Sequence, residues 1–476
     1  MRPLLLIPVL FLFLPGALGQ NLPELGDVTA SVLPPQMERR IGEQAMRDLR
    51  QREPNFLDDP EITAYITALG SRLVAANPDG RQDFEFFLMQ DSSINAFAMP
   101  GGFIGVHTGL LLAAQSESEL ASVLAHEVAH ISQRHLARML GRQDQMSVVS
   151  LAAMVVAILA ARSRPDASQA AMAAVAGGGI QAQLDYTREF EREADRVGFQ
   201  ILQQAGFDVH AMAVFFERLQ KFGRVYDNNA PAYLRTHPVT SERIADMQNR
   251  SQGAAYRQLP DSIEFQLVRA RLRAEQGTPR EAQILFEAQL QERRFISEAA
   301  ARFGYAVALA RTREFGRAGA QIAELRKLLA WHPMIELLAA RIKAAEGDQG
   351  AANELVTAAL ARNAGYRPLR YAQLDYLQAL GRHAEAIASL AELTKLYPRD
   401  ARLWESLAKS QSAMGRRLLQ HQALAEAYFL QGSLSAAIEQ LQLAQKSGDG
   451  DFYQLSSVDA RLRELRRLQM EETRRK

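Results

Sequence analysis

The chain contains no cysteine among its 476 residues. It can therefore form no disulfide, bind no zinc through thiolates and use no cysteine nucleophile, so any metal site must use histidines and carboxylates. An excess of one charge is also lacking, because 55 Lys and Arg residues face 54 Asp and Glu residues. Without a basic surface, nucleic acid is not expected as a partner.

Residues 1–19 have the features of a secretory signal peptide. Arg2 supplies the positive start, an apolar segment follows over 4–14, and a small-x-small cleavage site ends at Gly19. A membrane-spanning helix needs about 20 apolar residues, and Pro15 interrupts this segment earlier. We therefore expect a cleaved leader and export of the chain, rather than an uncleaved membrane anchor.

The remainder is predicted to form two domains, over 20–255 and 256–476. The clear strand signal lies within 84–107, and from Ser116 onward the pattern is almost wholly helical. We therefore expect a mainly α fold with one small β-sheet in the first domain. The strand over Phe103–His107 follows a Gly-Gly turn, and we interpret it as an edge strand that an extended substrate joins by strand addition.

A nearly uncharged run covers 148–161 and continues as an Ala/Gly-rich stretch to Ile180. The run is too short to span a bilayer, so core packing is the first interpretation. Contact with lipid or substrate is the alternative, and it stays open at this point. Peripheral membrane contact is therefore kept among the candidate interactions.

Glycines recur through the second domain at intervals near 34 residues, the period of tetratricopeptide repeats. Each follows an apolar helix pattern and precedes a short polar turn and another helix: Gly277, Gly316, Gly347, Gly381 and Gly415. Such helix pairs cannot bury their apolar faces alone, so they must stack into a curved array. We predict a tetratricopeptide α-solenoid that binds polypeptide, with an unrelated helical bundle as the alternative.

The chemistry of the protein is predicted by the segment HEVAH. On a helix, His126 and His130 point at one spot, and Glu127 lies one residue further round. This geometry suits two zinc ligands with a general base beside them. Ser116 and Glu119 predict a capped start for that helix, which is the context the motif requires. Two surface histidines with an unrelated glutamate are the less favoured alternative.

Catalytic zinc usually has three protein ligands, so a third ligand must lie elsewhere. The class of zinc proteases with a third histidine six residues after the second is excluded, because Leu136 occupies that position. His135 is one residue too early, and we expect it to turn away from His130 into solvent. A carboxylate on a second helix is the remaining choice.

The segment EFEREAD offers that carboxylate. Glu191 and Asp195 are one helical turn apart, beside the small residues Ala194 and Gly198, whereas Glu193 is expected to point elsewhere. We assign Glu191 to the metal and Asp195 to a position behind it, where it orients a ligand histidine. A solvated acidic face paired with neighbouring arginines is the alternative.

HEVAH, EFEREAD and the segment NAFAMPGG over 95–102 resemble the HtpX/CAAX-protease-type gluzincin metallopeptidases. The leader and the repeats narrow this resemblance to BepA-like, beta-barrel assembly-enhancing proteases of the Gram-negative periplasm. The resemblance covers nearly the whole chain after the leader. It implies a zincin-like domain, one Zn²⁺ per chain held by His126, His130 and Glu191, and Glu127 as the catalytic base.

The resemblance also implies a function and draws attention to His237, which precedes a proline. The implied function is that of a periplasmic zinc endopeptidase with chaperone-like activity, acting on misfolded or stalled outer-membrane β-barrel proteins, with the β-barrel assembly machinery as partner. The alternative is a proteolytically latent chaperone or scaffold that works through its repeats. His237 either stabilises the oxyanion or binds the zinc as a fourth ligand and closes the site; a histidine without a role is the third interpretation.

Overall fold

The computed structural model describes residues 33–77, 83–140, 180–225, 231–254 and 259–475. The predicted leader and the low-charge segment up to residue 179 lie outside these ranges. Among the helices that are described, none is both long enough and apolar enough to cross a bilayer.

The first part of the chain contains a small β-sheet surrounded by helices. The helices are α1 (Pro35–Arg52), α2 (Pro60–Ala75), α3 (Thr108–Ala113), α4 (Glu117–Ser132), α5 (His135–Leu140), α6 (Ile180–Gln204), α7 (His210–Val225), α8 (Ala232–Thr236) and α9 (Ser241–Ser251). The strands are β1 (Phe56–Leu57), β2 (Glu85–Met89), β3 (Ala96–Met99) and β4 (Phe103–His107). They form one four-stranded sheet in the order β1-β2-β4-β3, in which β2 and β4 are parallel and the other neighbours are antiparallel.

β4 lies inside this sheet, so our expectation of an edge strand over Phe103–His107 was wrong. Phe103 is aligned with Glu85 of β2 on one side and with Met99 of β3 on the other. The Gly-Gly turn does produce the predicted hairpin of β3 and β4, with Gly101 at φ 75°. The turn gave no indication that β2, which precedes the hairpin in the chain, pairs in parallel with the edge of β4 opposite β3. The outer strand on this side is β3.

α4 carries the HEVAH segment and begins where the capping pattern predicts. The Ser116 hydroxyl accepts the Glu119 backbone N–H at 3.2 Å, and the Glu119 carboxylate accepts the Gln115 N–H at 2.6 Å. The helix is buried along most of its length, where it packs against α2, β3, α6 and α7. α6 approaches α4 closely at Gly198, where an added Cβ would come within 3.1 Å of the His126 backbone.

The second part of the chain is an array of helices, as the glycine repeats predicted. The predicted fold class, a mainly α first domain with a small sheet followed by helical repeats, is therefore confirmed. Its helices are α10 (Ile263–Glu275), α11 (Pro279–Gln291), α12 (Glu298–Arg311), α13 (Phe315–Leu328), α14 (Pro333–Ala345), α15 (Gln349–Arg362), α16 (Arg367–Ala379), α17 (His383–Leu396), α18 (Ala401–Ala413), α19 (Arg417–Leu430), α20 (Leu434–Gln445) and α21 (Phe452–Arg475).

Most of the predicted turn glycines occupy turns. Gly277, Gly347, Gly381 and Gly415 have φ between 60° and 97°, which favours glycine. Gly316 does not, because it lies within α13, and Arg313 takes the left-handed turn position at φ 61°. The prediction for this turn was therefore misplaced by a few residues, since a non-glycine residue carries the positive φ.

One hydrophobic core joins the two parts. It includes Ile62 and Leu124 from the first part together with Phe265, Phe303 and Leu338 from the helical array. Further along, the array also reaches helix α1: the Gln51 side chain donates to the Gln431 carbonyl and to the Ser433 hydroxyl. The first domain therefore packs against both the beginning and the later part of the array.

Candidate metal centre

Four side chains place their ligand atoms within 4.8 Å of one another: His126, His130, Glu191 and His237. The two Nε2 atoms of His126 and His130 are 3.0 Å apart. Glu191 lies opposite, with its oxygens 3.4 Å from His126 Nε2 and 3.3 Å from His130 Nε2. The structure thus brings together the three side chains that we predicted as ligands, and His237, for which binding as a fourth ligand is one of our interpretations, lies in the same cluster.

The packing of α6 against α4 places Glu191 in this cluster. Ala194, like Gly198, is a small residue, and it is fully buried. Two imidazoles and one carboxylate form the nitrogen and oxygen donor set of catalytic zinc sites. Although burial alone would raise the pKa of Glu191, the neighbouring His237 and the two other histidines hold it well below its ordinary value.

His237 directs both ring nitrogens toward the centre. Its Nδ1 is 2.9 Å from Glu191 Oε1 and 3.4 Å from His126 Nε2, and its Nε2 is 3.5 Å from Glu127 Oε1. The ring stacks on Tyr233, whose backbone N–H donates to the Ile94 carbonyl before β3. α8 and the sheet therefore position this histidine, which follows directly after the helix.

Glu127 is completely buried at the same centre, beside His126 in sequence. The Glu127 carboxylate lies 3.5 Å from His237 Nε2, next to the four clustered side chains rather than among them. This is the position expected one residue further round the helix from His126. A carboxylate at this position can accept a proton from a group held by the cluster, which is the geometry that a general base requires.

Asp195 lies behind His126, as predicted, with its Oδ1 3.0 Å from His126 Nδ1. Arg243 donates to both oxygens of Asp195, at 2.6 and 2.7 Å, and it also lies 2.9 Å from Glu191 Oε2. Burial would raise the pKa of Asp195, but the guanidinium holds it below the ordinary value. An ionised Asp195 keeps the His126 proton on Nδ1 and leaves Nε2 to bind a metal.

His135 is buried against the metal centre, so our expectation that it turns into solvent was wrong. Only 4 % of its surface is exposed, and its Nδ1 lies 2.9 Å from Nδ1 of His130. The prediction extended the helix from His130, whereas α4 ends at Ser132 and the chain turns at Arg134 with φ 51°. This turn redirects residue 135 toward His130.

Glu193 points away from the cluster, as expected, but it faces His135. Its Oε2 lies 3.3 Å from His135 Nε2 and accepts a hydrogen bond from Arg138 at 2.8 Å. Burial, together with the positive charges nearby, lowers the pKa of His135 to about 2, so this ring is neutral. No sequence spacing indicated this contact, because it depends on the irregular turn between α4 and α5.

Residues 60–251 match the model of peptidase family M48. The "Beta-barrel assembly-enhancing protease" of Escherichia coli strain K12 is 33 % identical over 95 % of this chain and 92 % of its own length. A "Putative beta-barrel assembly-enhancing protease" of Vibrio cholerae is 44 % identical over 54 % of this chain and 53 % of its own length. The "Mitochondrial metalloendopeptidase OMA1" of Schizosaccharomyces pombe is 30 % identical over 39 % of the chain and 52 % of its own length.

Proposed function

Since this chain belongs to the beta-barrel assembly-enhancing proteases, with a peptidase domain of family M48, we propose that it is a zinc endopeptidase acting on misfolded or stalled outer-membrane β-barrel proteins. One observation carries the assignment of the metal: His126, His130 and Glu191 converge beside the buried carboxylate of Glu127. Three nitrogen and oxygen ligands with a further coordination position are typical of catalytic zinc sites. We propose one zinc per chain.

A bound zinc supplies a Lewis acid for a water molecule and for the scissile carbonyl. Glu127 then takes the proton of the attacking water and passes it to the leaving amine. Asp195 holds His126 in the tautomer that presents Nε2, and Arg243 fixes Asp195 through two hydrogen bonds. These contacts keep the donor atom of His126 in place before substrate arrives.

His237 is best explained as a fourth ligand that closes the resting site. Its Nδ1 approaches both Glu191 and His126, which are ligands in this proposal. A histidine at this position competes with water for the metal, and proteolysis then requires the loop after α8 to move. The alternative role, stabilisation of the oxyanion, places the same ring beside the substrate carbonyl instead.

We infer the location and the partners from the predicted leader and from the relatives. The predicted secretory leader and the printed name of the relatives support action in the periplasm, during assembly of outer-membrane proteins. The helical array offers a surface for polypeptide, so we propose that it binds unfolded clients and the β-barrel assembly machinery. A latent chaperone or scaffold is the second candidate, favoured by the position of His237 within the cluster.

The experiment compares purified wild type with Glu127→Gln for zinc content and for cleavage of an unfolded outer-membrane β-barrel protein. We expect one zinc per chain in both, with cleavage reduced about 100-fold or more in the variant, because the base is lost and the ligands are kept. The control is Glu189→Gln, which changes an exposed glutamate on α6. Zinc without cleavage in wild type would favour the scaffold, and absence of zinc would overturn the metal site.

A further inference from the structure

The two ligand histidines of the proposed centre have different partners behind them. His126 Nδ1 faces the carboxylate of Asp195, the usual partner of a metal-binding imidazole. His130 Nδ1 faces instead the Nδ1 of another imidazole, that of His135, at 2.9 Å. In the part of the chain that the structure describes, the carboxylate of this series lies behind the second ring, where Glu193 Oε2 is 3.3 Å from His135 Nε2.

We propose that His135 is the positioning residue of His130: it accepts the His130 Nδ1–H, and so fixes the tautomer and the ring orientation that present Nε2 to the metal. This inference rests on the proposed metal centre. In it, His135 touches neither metal nor substrate and acts through the ligand alone. Glu193 completes the arrangement by accepting a hydrogen bond from the Nε2–H of His135.

Only one arrangement of protons satisfies every contact in this series. His130 binds a metal through Nε2, since that atom faces His126 and Glu191, so its single proton must lie on Nδ1. His135 must then offer a lone pair at Nδ1 and carry its own proton on Nε2. That proton points at Glu193, which accepts hydrogen bonds when ionised. Both ends of the series therefore require the same tautomer of His135.

The surroundings of His135 hold its ring in one orientation. It stacks on Phe190, with the centroids 4.3 Å apart and the planes inclined by 19°. The Arg138 guanidinium lies over the same Phe190 ring, 4.8 Å from its centroid, and also donates to Glu193. Because the ring is stacked and bonded through both nitrogens, it cannot rotate without breaking contacts. Such a ring can restrict the rotation of His130.

Loss of a partner behind a ligand histidine typically weakens metal binding 10- to 100-fold. The test measures the zinc dissociation constant by competition with a chelator, and the visible spectrum of the Co²⁺-substituted protein, in His135→Leu and His135→Asn. These side chains are close in size, but the Asn oxygen lies near the position of the imidazole Nδ1 and can accept the His130 proton. We expect about 10- to 100-fold weaker zinc binding and an altered Co²⁺ spectrum in the Leu variant, and near-native values in the Asn variant.

The control is His421→Leu, which removes a hydrogen-bonded histidine from the helical array and should leave zinc binding unchanged. Equal zinc affinity in wild type and His135→Leu would overturn the inference while the metal centre stands. An Asn variant as weak as the Leu variant would also overturn it, because packing rather than an acceptor would then be the cause. If wild type bound no zinc, the proposed function itself would fail.

A measurement on the wild-type protein covers the case in which the Leu variant does not fold. In zinc-loaded wild type labelled with ¹⁵N-histidine, NMR distinguishes the two tautomers of a neutral ring by the nitrogen that carries the proton. We expect His130 protonated on Nδ1 and His135 protonated on Nε2, with the His135 signals assigned from their loss in the Asn variant. A His135 ring protonated on Nδ1 would contradict the proposal.

Discussion

Glu117, the first residue of α4, and Ser262, which caps the start of α10, are joined across the boundary between the peptidase domain and the helical array. The Ser262 N–H and hydroxyl donate to the Glu117 carboxylate at 3.1 and 2.7 Å. In return, the Glu117 N–H donates to the Asp261 side chain at 2.7 Å. Each helix start therefore satisfies polar groups of the other, and the helix that carries His126 and His130 is anchored on the array.

We predict that Glu117→Ala lowers the free energy of unfolding by about 1–3 kcal/mol, because it leaves the Ser262 donors without their acceptor. The measurement is urea unfolding of wild type and variant. Glu298→Ala is the matched control, since Glu298 also follows an N-cap serine but pairs with Arg302 on its own helix, and it should lose less than about 1 kcal/mol. Equal losses in both variants would show that the contact across the boundary has no special effect.

A second contact between the two parts is a buried group of charges. Arg271 on α10 contacts Asp59 and Glu61 at the start of α2, the latter at 2.6 Å. Glu61 is 2 % exposed and also pairs with Arg341 on α14. The carboxylates raise the pKa of the Arg271 guanidinium against the opposing effect of burial, so this side chain stays charged.

Arg271→Met should lower the free energy of unfolding by about 3–5 kcal/mol, because the substitution leaves buried carboxylates without their main partner. Arg302→Met is the control, since its partner Glu298 is partly exposed and the pair should contribute about 0–1 kcal/mol. Thermal and urea unfolding both measure the difference. A loss below about 1 kcal/mol in Arg271→Met would mean that water reaches these carboxylates and replaces the arginine.

The sequence predicted those parts of the site that depend on regular helices. His126 and His130, and likewise Glu191 and Asp195, are separated by one helical turn, so their shared faces follow from the helix period. His135 could not be placed this way, because the positive φ of Arg134 interrupts the period. Spacing also gave no indication of the contact between Glu117 and Ser262, since these residues are 145 positions apart in the chain.

The order of the strands in the sheet was predicted less well, because it too depends on contacts between distant parts of the chain. Two adjacent strands with a Gly-Gly turn indicate a hairpin locally, and that hairpin is present. The parallel pairing of Phe86 with Ile104 joins strands that are not consecutive, and hydrophobic alternation alone does not define such a partner. Any strand-like substrate on this side would have to approach β3 rather than β4.

Removal of the metal should reduce stability, because the buried cluster then keeps its charged and polar groups without the ion that they bind. Zinc at 100 times its dissociation constant is expected to add about 2.7 kcal/mol to the free energy of unfolding. We therefore expect a chelator to lower the melting temperature and added zinc to restore it. His130→Ala is the control, since it removes one ligand and should make the melting temperature much less sensitive to zinc. A zinc-independent melting temperature in wild type would contradict the assigned site.

His237→Ala separates the two active roles of this histidine, because they predict opposite changes in proteolysis. If His237 closes the resting site, and the open form is a minor state of about 1–10 %, its removal should raise the cleavage rate about 10- to 100-fold at unchanged zinc content. We expect this increase, because the two His237 ring nitrogens lie 2.9 to 3.5 Å from atoms of Glu191, His126 and Glu127. His421→Ala in the helical array is the control. A fall of about 100- to 1,000-fold with full zinc would assign His237 to the oxyanion instead, and an unchanged rate would exclude both roles.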